Sequence, residues 1–344
     1  MFFKMRKHFH VRQWDNKDIK DRISETLNEV GEGKMIYTCT MNTAIDLYVQ
    51  LEKLMPDKVN RTMDEDYQPN GKGVNVSIML KRYGIESVAT GFIAGFTGEF
   101  IQDSLQKLNI KTDFVHVDGI TRINVFMNAD KEYKIVNQGP SISKEKQRLL
   151  IEKIGQLEAG STLIVSGSLP VGVSEAILAE IGAICKMNGV HYVLDTSISS
   201  LDGVLASQPY LLKPNEEELA GFFQVKHRLS EKELVYYGYE LIKRGAQQVL
   251  ISRGKDGSIY LNKDTCLFAT SPKGKVLNTA CAGDALLATF IGHIQQGTPV
   301  EDALAKATAT GASTAFSKGL SDLKDVPMLL DQVQITRRGF TWQK

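Results

Sequence analysis

The sequence holds little that would tie the protein to a nucleic acid, a membrane or an oxidising compartment. Its 344 residues include 41 Lys and Arg against 40 Asp and Glu, so no excess of charge favours a polyanion or a lipid surface. No stretch of about 18 uncharged apolar residues predicts a transmembrane helix. Four cysteines lie scattered without a C-x-x-C pair, which argues against a disulfide scaffold and a zinc site. We therefore expect a protein of the reducing cytoplasm with no nucleic-acid or membrane partner.

The two common phosphate-binding signatures of α/β proteins are also absent. A P-loop requires G-x-x-x-x-G-K-[ST], but Gly71-Lys72 is followed by Gly73 and Gly254-Lys255 by an aspartate. The glycines of "GFIAGFTGEF" do not have the spacing of the dinucleotide fingerprint G-x-G-x-x-G. If phosphates bind to this chain, they bind by another route.

Short β-type runs alternate with helical patterns from Met35 onward. Strands are predicted at "MIYTCTM", "SVATGFIA", "STLIVSG", "VHYVLD", "PYLLK" and "QQVLIS". Helices are predicted over residues 73–83, 97–108, 174–187, 231–244, 284–296 and 300–316. This alternation is typical of an α/β fold whose mostly parallel sheet is covered by helices on both faces. Residues 45–67 and 122–136 show period-two alternation without helices, and predict a small antiparallel β-lid.

The first 34 residues differ from the rest of the chain. Ile19, Ile23, Leu27 and Val30 fall at helical spacing among charges, which predicts a short amphipathic helix. We interpret residues 1–34 as an N-terminal extension without a catalytic role.

The segment "NTACAGDALLATFIG" places small residues directly before an apolar helix. Backbone amides at the start of a helix lack internal partners and attract anions, so Ala282 and Gly283 predict an anion hole. Asp284 lies in the same turn and can accept the proton of an attacking hydroxyl. The alternative is a plain capping aspartate, since Asp is a favoured residue at helix starts.

Three further segments have the features of a phosphotransferase. In "NGKGVNV", a turn with Gly71 and Lys72 opens into a helix with Asn75 in its first turn, which suits a polyol or its phosphate. An exposed turn is the alternative. In "LLKPNEEEL", Asn215 and Glu218 lie three residues apart, where they can reach magnesium or its waters. Alternatively, acidic residues at that point simply stabilise the helix.

The third segment is "SRGKDGSIY", in which Ser252 ends a predicted strand. Gly254 and Gly257 permit the close backbone approach of a nucleotide-phosphate turn. A bare glycine turn between strands is the alternative.

In combination, these motifs resemble the PfkB, or ribokinase-like, family of carbohydrate kinases. The strings "MNTAID", "NGKGVNV", "GFTGEFI", "TRINV", "SGSLP", "VLDTS", "KPNEEEL" and "NTACAGDALLATF" occur in order. They are most similar to the branch with 1-phosphofructokinase and tagatose-6-phosphate kinase. The resemblance covers residues 35–333 and leaves out the extension and a C-terminal tail, residues 334–344.

The resemblance implies a ribokinase-like α/β/α sandwich with a β-lid, ATP as donor and Mg²⁺ as cofactor. It makes Asp284 the general base and Cys281, Ala282 and Gly283 part of the anion hole. The residues implied for ATP and its metal are Lys213, Asn215, Ser252, Gly254 and Gly257, with Glu218 at the metal. Those implied for the sugar phosphate are Asp46, Gly71, Lys72, Asn75 and Arg122, with Lys58, Lys134 and Ser168 as further candidates.

The expected reaction is phosphorylation of fructose 1-phosphate at its 6-hydroxyl. Tagatose-6-phosphate kinase is the alternative within the branch, and a non-catalytic sugar-phosphate sensor is the alternative from a different class. A homodimer is expected as well, because the open strand edges of the lid invite a second copy.

Three residues depart from the pattern of the family. Cys281 and Asn70 stand where the family usually has glycine, and Thr43 stands where it usually has proline. If position 281 must adopt a left-handed conformation, a cysteine there stores about 1–3 kcal/mol of strain. A thiol beside a helix N-terminus is also expected to have a lowered pKa.

Overall fold

The computed structural model describes residues 34–339. The chain divides after Lys34, and the fold below belongs to the unit that begins at Met35. The helix predicted between residues 15 and 30 lies outside the described residues. Among residues 34–339, no helix combines the length and the apolar character needed to cross a bilayer.

A ten-stranded sheet forms the centre of the unit. In the described residues the strands are β1 (Ile36–Thr40), β2 (Ala44–Gln50), β3 (Asp64–Asn70), β4 (Ser87–Ala94), β5 (Lys111–Val117), β6 (Arg122–Asn128), β7 (Glu132–Ile135), β8 (Thr162–Ser166), β9 (His191–Asp195), β10 (Leu211–Leu212), β11 (Gln248–Ser252), β12 (Ser258–Asn262), β13 (Cys266–Ala269) and β14 (Ile335–Arg337). The order in the large sheet is β14-β13-β12-β11-β10-β9-β8-β1-β4-β5. From β11 to β5 all neighbours are parallel, and β12, β13 and β14 add an antiparallel edge.

Helices cover both faces of this sheet. They are α1 (Lys72–Arg82), α2 (Gly95–Lys107), α3 (Lys144–Gly155), α4 (Ala176–Met187), α5 (Asp202–Ala206), α6 (Glu216–Phe222), α7 (Glu231–Lys243), α8 (Ala282–Gln295), α9 (Val300–Ala315) and α10 (Val326–Leu330). Strand β8 shows why the sheet needs two layers: Leu163 and Val165 pack among residues of α3 and α4, whereas Ile164 packs among residues of α1 and α8. Side chains alternate along a strand, so an apolar run is buried on both sides.

A separate four-stranded sheet, which we call the lid, has the order β3-β2-β6-β7. Its outer pairs are antiparallel, and its central pair β2–β6 is parallel. Asp46 of β2 and Asn124 of β6 are directly paired and belong to one face. The opposite face bears an apolar row across all four strands, formed by Tyr67, Leu47, Val125 and Ile135.

The architecture confirms the predicted α/β/α fold with a small second sheet. The sequence patterns did not indicate α3 or the antiparallel strands β12 and β13. Residues 335–337, which the sequence placed in a C-terminal tail, form β14 and pair with residues 267–269. The short edge strand has only one neighbour, so its sequence carries little of the hydrophobic pattern of a central strand.

Candidate active site

The carboxyl ends of the parallel strands meet the start of α8 at a cavity of about 730 Å³. Ligands bind at this edge in open α/β sheets. Most of the residues singled out from the sequence line this cavity: Asp46, Lys72, Asn75, Lys213, Asn215, Glu218, Ser252, Gly254, Gly257, Cys281, Ala282, Gly283 and Asp284. Gly71 lies at the N-cap of α1 with φ +126°, and a Cβ there would meet the Thr40 side chain at 2.5 Å.

Helix α8 begins at a left-handed residue. Cys281 is its N-cap with φ 63°, which meets the condition under which a cysteine stores strain. The first helical hydrogen bond runs from Ala285 N to Cys281 O at 2.9 Å, so the amides of Gly283 and Asp284 precede the helical ladder. The amide of Ala282 lies 3.4 Å from the carbonyl oxygen of Thr279 and is partly engaged. Among the first amides of α8, those of Gly283 and Asp284 are therefore the ones left free to bind a ligand.

Asp284 is buried, with 5% of its surface exposed. The Asn75 amide donates a hydrogen bond to Asp284 Oδ2 at 2.8 Å. Burial and the nearby charge of Asp195 raise the pKa of Asp284 to about 6, against the opposing effects of Lys72, Asn75 and Lys213. A carboxyl with such a pKa is ionised at neutral pH and is a stronger base than an exposed aspartate.

Two lysines converge on Asp195, a residue that our reading of the sequence did not single out. Lys72 Nζ lies 3.0 Å from Asp195 Oδ1 and Lys213 Nζ lies 3.2 Å from Oδ2. Burial acts to lower the pKa of Lys72, but the carboxylates of Asp195, Asp284 and Glu218 outweigh it and raise that pKa. The Lys72 ammonium thus remains charged beside the start of α8, and a Cβ on Gly283 would lie 3.3 Å from Lys213 Nζ. The sequence signal that could have identified Asp195 as a site residue is its position at the end of a predicted strand, in "VLDTS".

The lid contributes Asp46 to the same cavity. The Asn124 amide donates to Asp46 Oδ1 at 2.8 Å, and the Asn70 amide donates to Oδ2. Burial raises the pKa of Asp46 to about 6, although the hydrogen bond from Asn124 and the charge of Arg122 oppose it. This carboxylate can accept hydrogen bonds from the hydroxyl groups of a sugar.

At the far end, Ser252, Gly254 and Gly257 border the cavity. A Cβ on Gly254 would meet no atom within 4 Å, whereas one on Gly257, with φ +89°, would strike the Ala269 carbonyl oxygen. Asn215 and Glu218 form a capping box at α6, with Asn215 N donating to Glu218 Oε2 at 2.9 Å and Glu218 N donating to Asn215 Oδ1 at 2.8 Å. The capping box agrees with the interpretation that these residues stabilise the start of the helix, and the magnesium site stays a prediction.

Arg122 and Ser168 are not among the described residues that line the cavity, although the charge of Arg122 acts on Asp46, which does line it. The Arg122 guanidinium donates to the carbonyl oxygens of Asn137 at 3.1 Å and Asn42 at 3.0 Å. The Asn42 amide donates to Ser168 Oγ at 3.2 Å. Among the described residues, buried Arg122 Nε and Asn42 Oδ1 have no hydrogen-bond partner.

The structure does not bring Lys58 and Lys134 to this cavity. Lys58 is exposed in the loop between β2 and β3. Lys134 pairs with Glu132 at 3.1 Å and borders a second cavity, of about 580 Å³, on the lid. The sequence shows that these residues are positively charged, but it does not show which cavity their side chains reach. The prediction that they bind the sugar phosphate is therefore not supported by their positions.

The thiol of Cys281 differs from the expectation of a lowered pKa. Burial and the carboxylates of Asp284 and Asp46 raise the pKa of this thiol well above its ordinary value. Burial, together with these two negative neighbours, thus outweighs the positive end of the helix dipole. Cys281 therefore carries its proton at neutral pH and is not a reactive thiolate.

A buried base beside a helix N-terminus and two lysines, at the strand ends of a lidded α/β sheet, define the class of small-molecule kinases. Within that class the chain belongs to the pfkB family of carbohydrate kinases, which its residues 37–326 match.

Three relatives illustrate the similarity. The D-tagatose-1-phosphate kinase of Bacillus licheniformis is 54% identical over 302 residues, which cover 88% of this chain and 99% of that protein. The 1-phosphofructokinase of Bacillus subtilis is 37% identical over 303 residues, 88% of this chain and 100% of that protein. The structure of phosphofructokinase-2 from Escherichia coli in complex with substrates and products has a TM-score of 0.80, with 24% identity over 87% of this chain and 99% of that one. At that identity the last similarity concerns the fold.

Proposed function

We propose that this protein is an ATP-dependent kinase that phosphorylates ketohexose 1-phosphates, with fructose 1-phosphate and tagatose 1-phosphate as acceptors, at the 6-hydroxyl. The observation that carries the proposal is Asp284, a buried carboxylate with a pKa of about 6 in the turn that presents free amides to the cavity. A base and an anion hole in one turn suit the transfer of a phosphoryl group to an alcohol.

In the proposed reaction, Asp284 accepts the proton of the 6-hydroxyl. The acceptor oxygen forms a bond to the γ-phosphorus of ATP, and the bond between that phosphorus and the β–γ bridging oxygen breaks, which releases ADP. The amides of Gly283 and Asp284 stabilise the negative charge of the moving phosphoryl group, and Lys72 and Lys213 add two positive charges. The lysines are held in place by Asp195.

We also propose ATP and Mg²⁺ as the donor and its ion. The space at Gly254 is open, so a nucleotide can approach the backbone there, whereas a side chain at this position would occupy that space. The residues that would hold Mg²⁺ are Glu218 and Asn215, which both border the cavity. Their side-chain oxygens also accept hydrogen bonds from Ser197 Oγ and from each other's backbone amides, and those oxygens have further lone pairs for the ion or its waters. Such a site needs few protein ligands, because Mg²⁺ usually keeps several waters and binds through one or two carboxylates plus substrate phosphates. The ion would neutralise charge on the phosphates.

The proposed position of the acceptor's own phosphate is beside Arg122, Ser168 and Asn42. There the guanidinium of Arg122, whose buried Nε has no hydrogen-bond partner among the described residues, supplies the positive charge for a phosphate. The names of the relatives support acceptors phosphorylated at carbon 1. We therefore do not carry forward tagatose 6-phosphate, whose 6-oxygen is already esterified.

An ADP-release assay with four ketose phosphates tests the proposed function. We expect Mg²⁺- and ATP-dependent turnover with fructose 1-phosphate and tagatose 1-phosphate, and kcat/KM at least about tenfold lower with the two 6-phosphates, which lack the reacting hydroxyl. Turnover with neither 1-phosphate, combined with tight binding of either, would instead support the sugar-phosphate sensor.

We further propose a homodimer that forms through the apolar row of the lid. Tyr67 and Ile135, at the two ends of the row, are 48% and 52% exposed. An exposed apolar sheet face with open edges favours association with a second copy. Sedimentation should show a dimer for the wild type and a monomer for Leu47→Asp. Met187→Asp, at an exposed apolar residue of α4, should remain dimeric, and an unchanged Leu47→Asp dimer would place the interface elsewhere.

A further inference from the structure

Two of the departures from the family pattern meet inside the cavity. The resemblance to carbohydrate kinases implies glycine at positions 70 and 281, whereas this chain has Asn70 and Cys281, and both line the cavity. Asn75 Nδ2 lies 3.1 Å from Asn70 Oδ1 and 3.2 Å from Cys281 Sγ. Residues that are 211 positions apart in the chain, 281 − 70, therefore share one amide group. Two glycines would leave that space without side chains.

The amide of Asn75 has more acceptors than hydrogens. Its nitrogen carries two N–H groups, but Asn70 Oδ1, Cys281 Sγ and Asp284 Oδ2 all lie within hydrogen-bonding distance. The contact with Asp284, at 2.8 Å, is the shortest. A protonated thiol removes the conflict, because it is itself a donor and needs no hydrogen from Asn75. The side chains at positions 70 and 281 thus depend on each other.

The same network joins the two ends of the acceptor site. Asn70 donates to Asp46, and its Oδ1 also accepts the amide hydrogen of Gly71. A chain of hydrogen bonds therefore runs from Asp46 through Asn70 and Asn75 to Asp284. If the 6-hydroxyl lies at Asp284 and the 1-phosphate beside Arg122, the hydroxyls of carbons 3 and 4 fall between them. Asn70 and Cys281 lie along the chain of hydrogen bonds between these two ends, since both contact Asn75 and Asn70 also contacts Asp46.

We propose that Asn70 and Cys281 form a specificity-determining pair that discriminates between acceptors by the configuration of carbon 4. The inference rests on the proposed function, because tagatose 1-phosphate and fructose 1-phosphate differ only at that carbon. One epimer directs its 4-hydroxyl at the polar network, and the other directs it away. A buried polar group left unpaired costs far more than a missing apolar contact, so a pair of polar side chains can discriminate where two glycines cannot.

The test compares kcat/KM for the two epimers in the wild type, Asn70→Gly, Cys281→Gly and the double variant. We expect the wild type to favour one epimer by about tenfold or more, and the double variant to bring the two values within about threefold of each other. The change should fall on KM and kcat for the acceptors, with KM for ATP unmoved. Because both side chains act through Asn75, the two single effects on the ratio should not add.

Thr43→Pro is the matched control, since it restores the family residue at the third departure. Thr43 is buried, donates to the Phe92 carbonyl oxygen at 2.7 Å and is not among the described residues that line the cavity. Its epimer ratio should stay within about twofold of the wild type. If Asn70→Gly is too unstable for kinetics, Asn70→Ala removes the same amide with less backbone freedom.

The outcomes separate this inference from the proposed function. If neither epimer is phosphorylated by the wild type, the proposed function is wrong. If both are phosphorylated but the wild type shows no preference, or the double variant keeps the wild-type ratio, only the specificity pair is overturned. A change of equal size in Thr43→Pro would also overturn it, because that change would reflect general loosening of the site.

Discussion

Replacing Asp284 by asparagine is expected to lower kcat by at least ~10²-fold, the range of a lost general base. The amide keeps the size of the side chain and its place in the first turn of α8, but it cannot accept the proton of the acceptor hydroxyl. KM for ATP should change little, because the donor phosphates contact amides and lysines that the substitution leaves in place. Steady-state kinetics with both substrates varied provide the measurement. Near-normal turnover would remove Asp284 from the mechanism.

The pH dependence gives a second and independent reading of the same variant. Asp284 and Asp46 both have a pKa raised to about 6, so the ionised forms that the reaction needs are lost as the pH falls through that value. In the wild type, log kcat/KM should therefore fall below pH 6 with a slope approaching two. In Asp284→Asn one of the two groups is gone, and the residual activity should fall with a slope approaching one. If log kcat/KM of Asp284→Asn fell with the same slope as that of the wild type at low pH, groups other than Asp284 would be responsible for the fall.

Much of the fold could be predicted because local patterns of apolar and polar residues specify its strands and helices. Buried parallel strands are short apolar runs, and the helices between them have their own period, so β1, β4, β8 and β9 were recognisable within a residue or two. The hairpin of β12 and β13 was missed because antiparallel edge strands in an otherwise parallel sheet break the alternation. The parallel pairing of β2 with β6 joins segments far apart in the chain, and no local pattern specifies it.

The candidate active site shows the same contrast between features that local sequence specifies and features that long-range contacts create. Asp284, the amides before it and the glycine turns lie within single short segments that the sequence patterns singled out, and the structure brings these segments to one cavity. Asp195 is different, because its role arises from contact with Lys72 and Lys213, which approach from other strand ends. The thiol pKa of Cys281 was predicted in the wrong direction for the same reason. The helix dipole is local and visible in the sequence, but the burial of the thiol and the two carboxylates near it arise from the fold.

Arg122→Ala is expected to raise KM for the ketose 1-phosphate by about 10- to 150-fold, with a much smaller effect on KM for ATP. A charge-assisted hydrogen bond to a phosphate contributes roughly 1.5–3 kcal/mol, which corresponds to that range. The guanidinium is held by the carbonyl oxygens of Asn42 and Asn137, and its Nε is left without a partner among the described residues. In the proposed function, this held guanidinium supplies the positive charge for the acceptor's phosphate.

Two further variants test whether the rise in KM comes from losing a contact between Arg122 and the phosphate of the acceptor. Arg122→Lys keeps the charge but loses the planar fork, so it should recover only part of the affinity for the acceptor. Lys134→Ala removes a cation from the same lid at a position that pairs with Glu132 instead of bordering the active-site cavity, and should leave KM for the acceptor within about twofold. If Lys134→Ala matched Arg122→Ala, general lid charge would explain the loss. If Arg122→Ala raised KM for ATP instead, the lid would face the donor, and the acceptor phosphate would have to lie at the opposite end of the cavity.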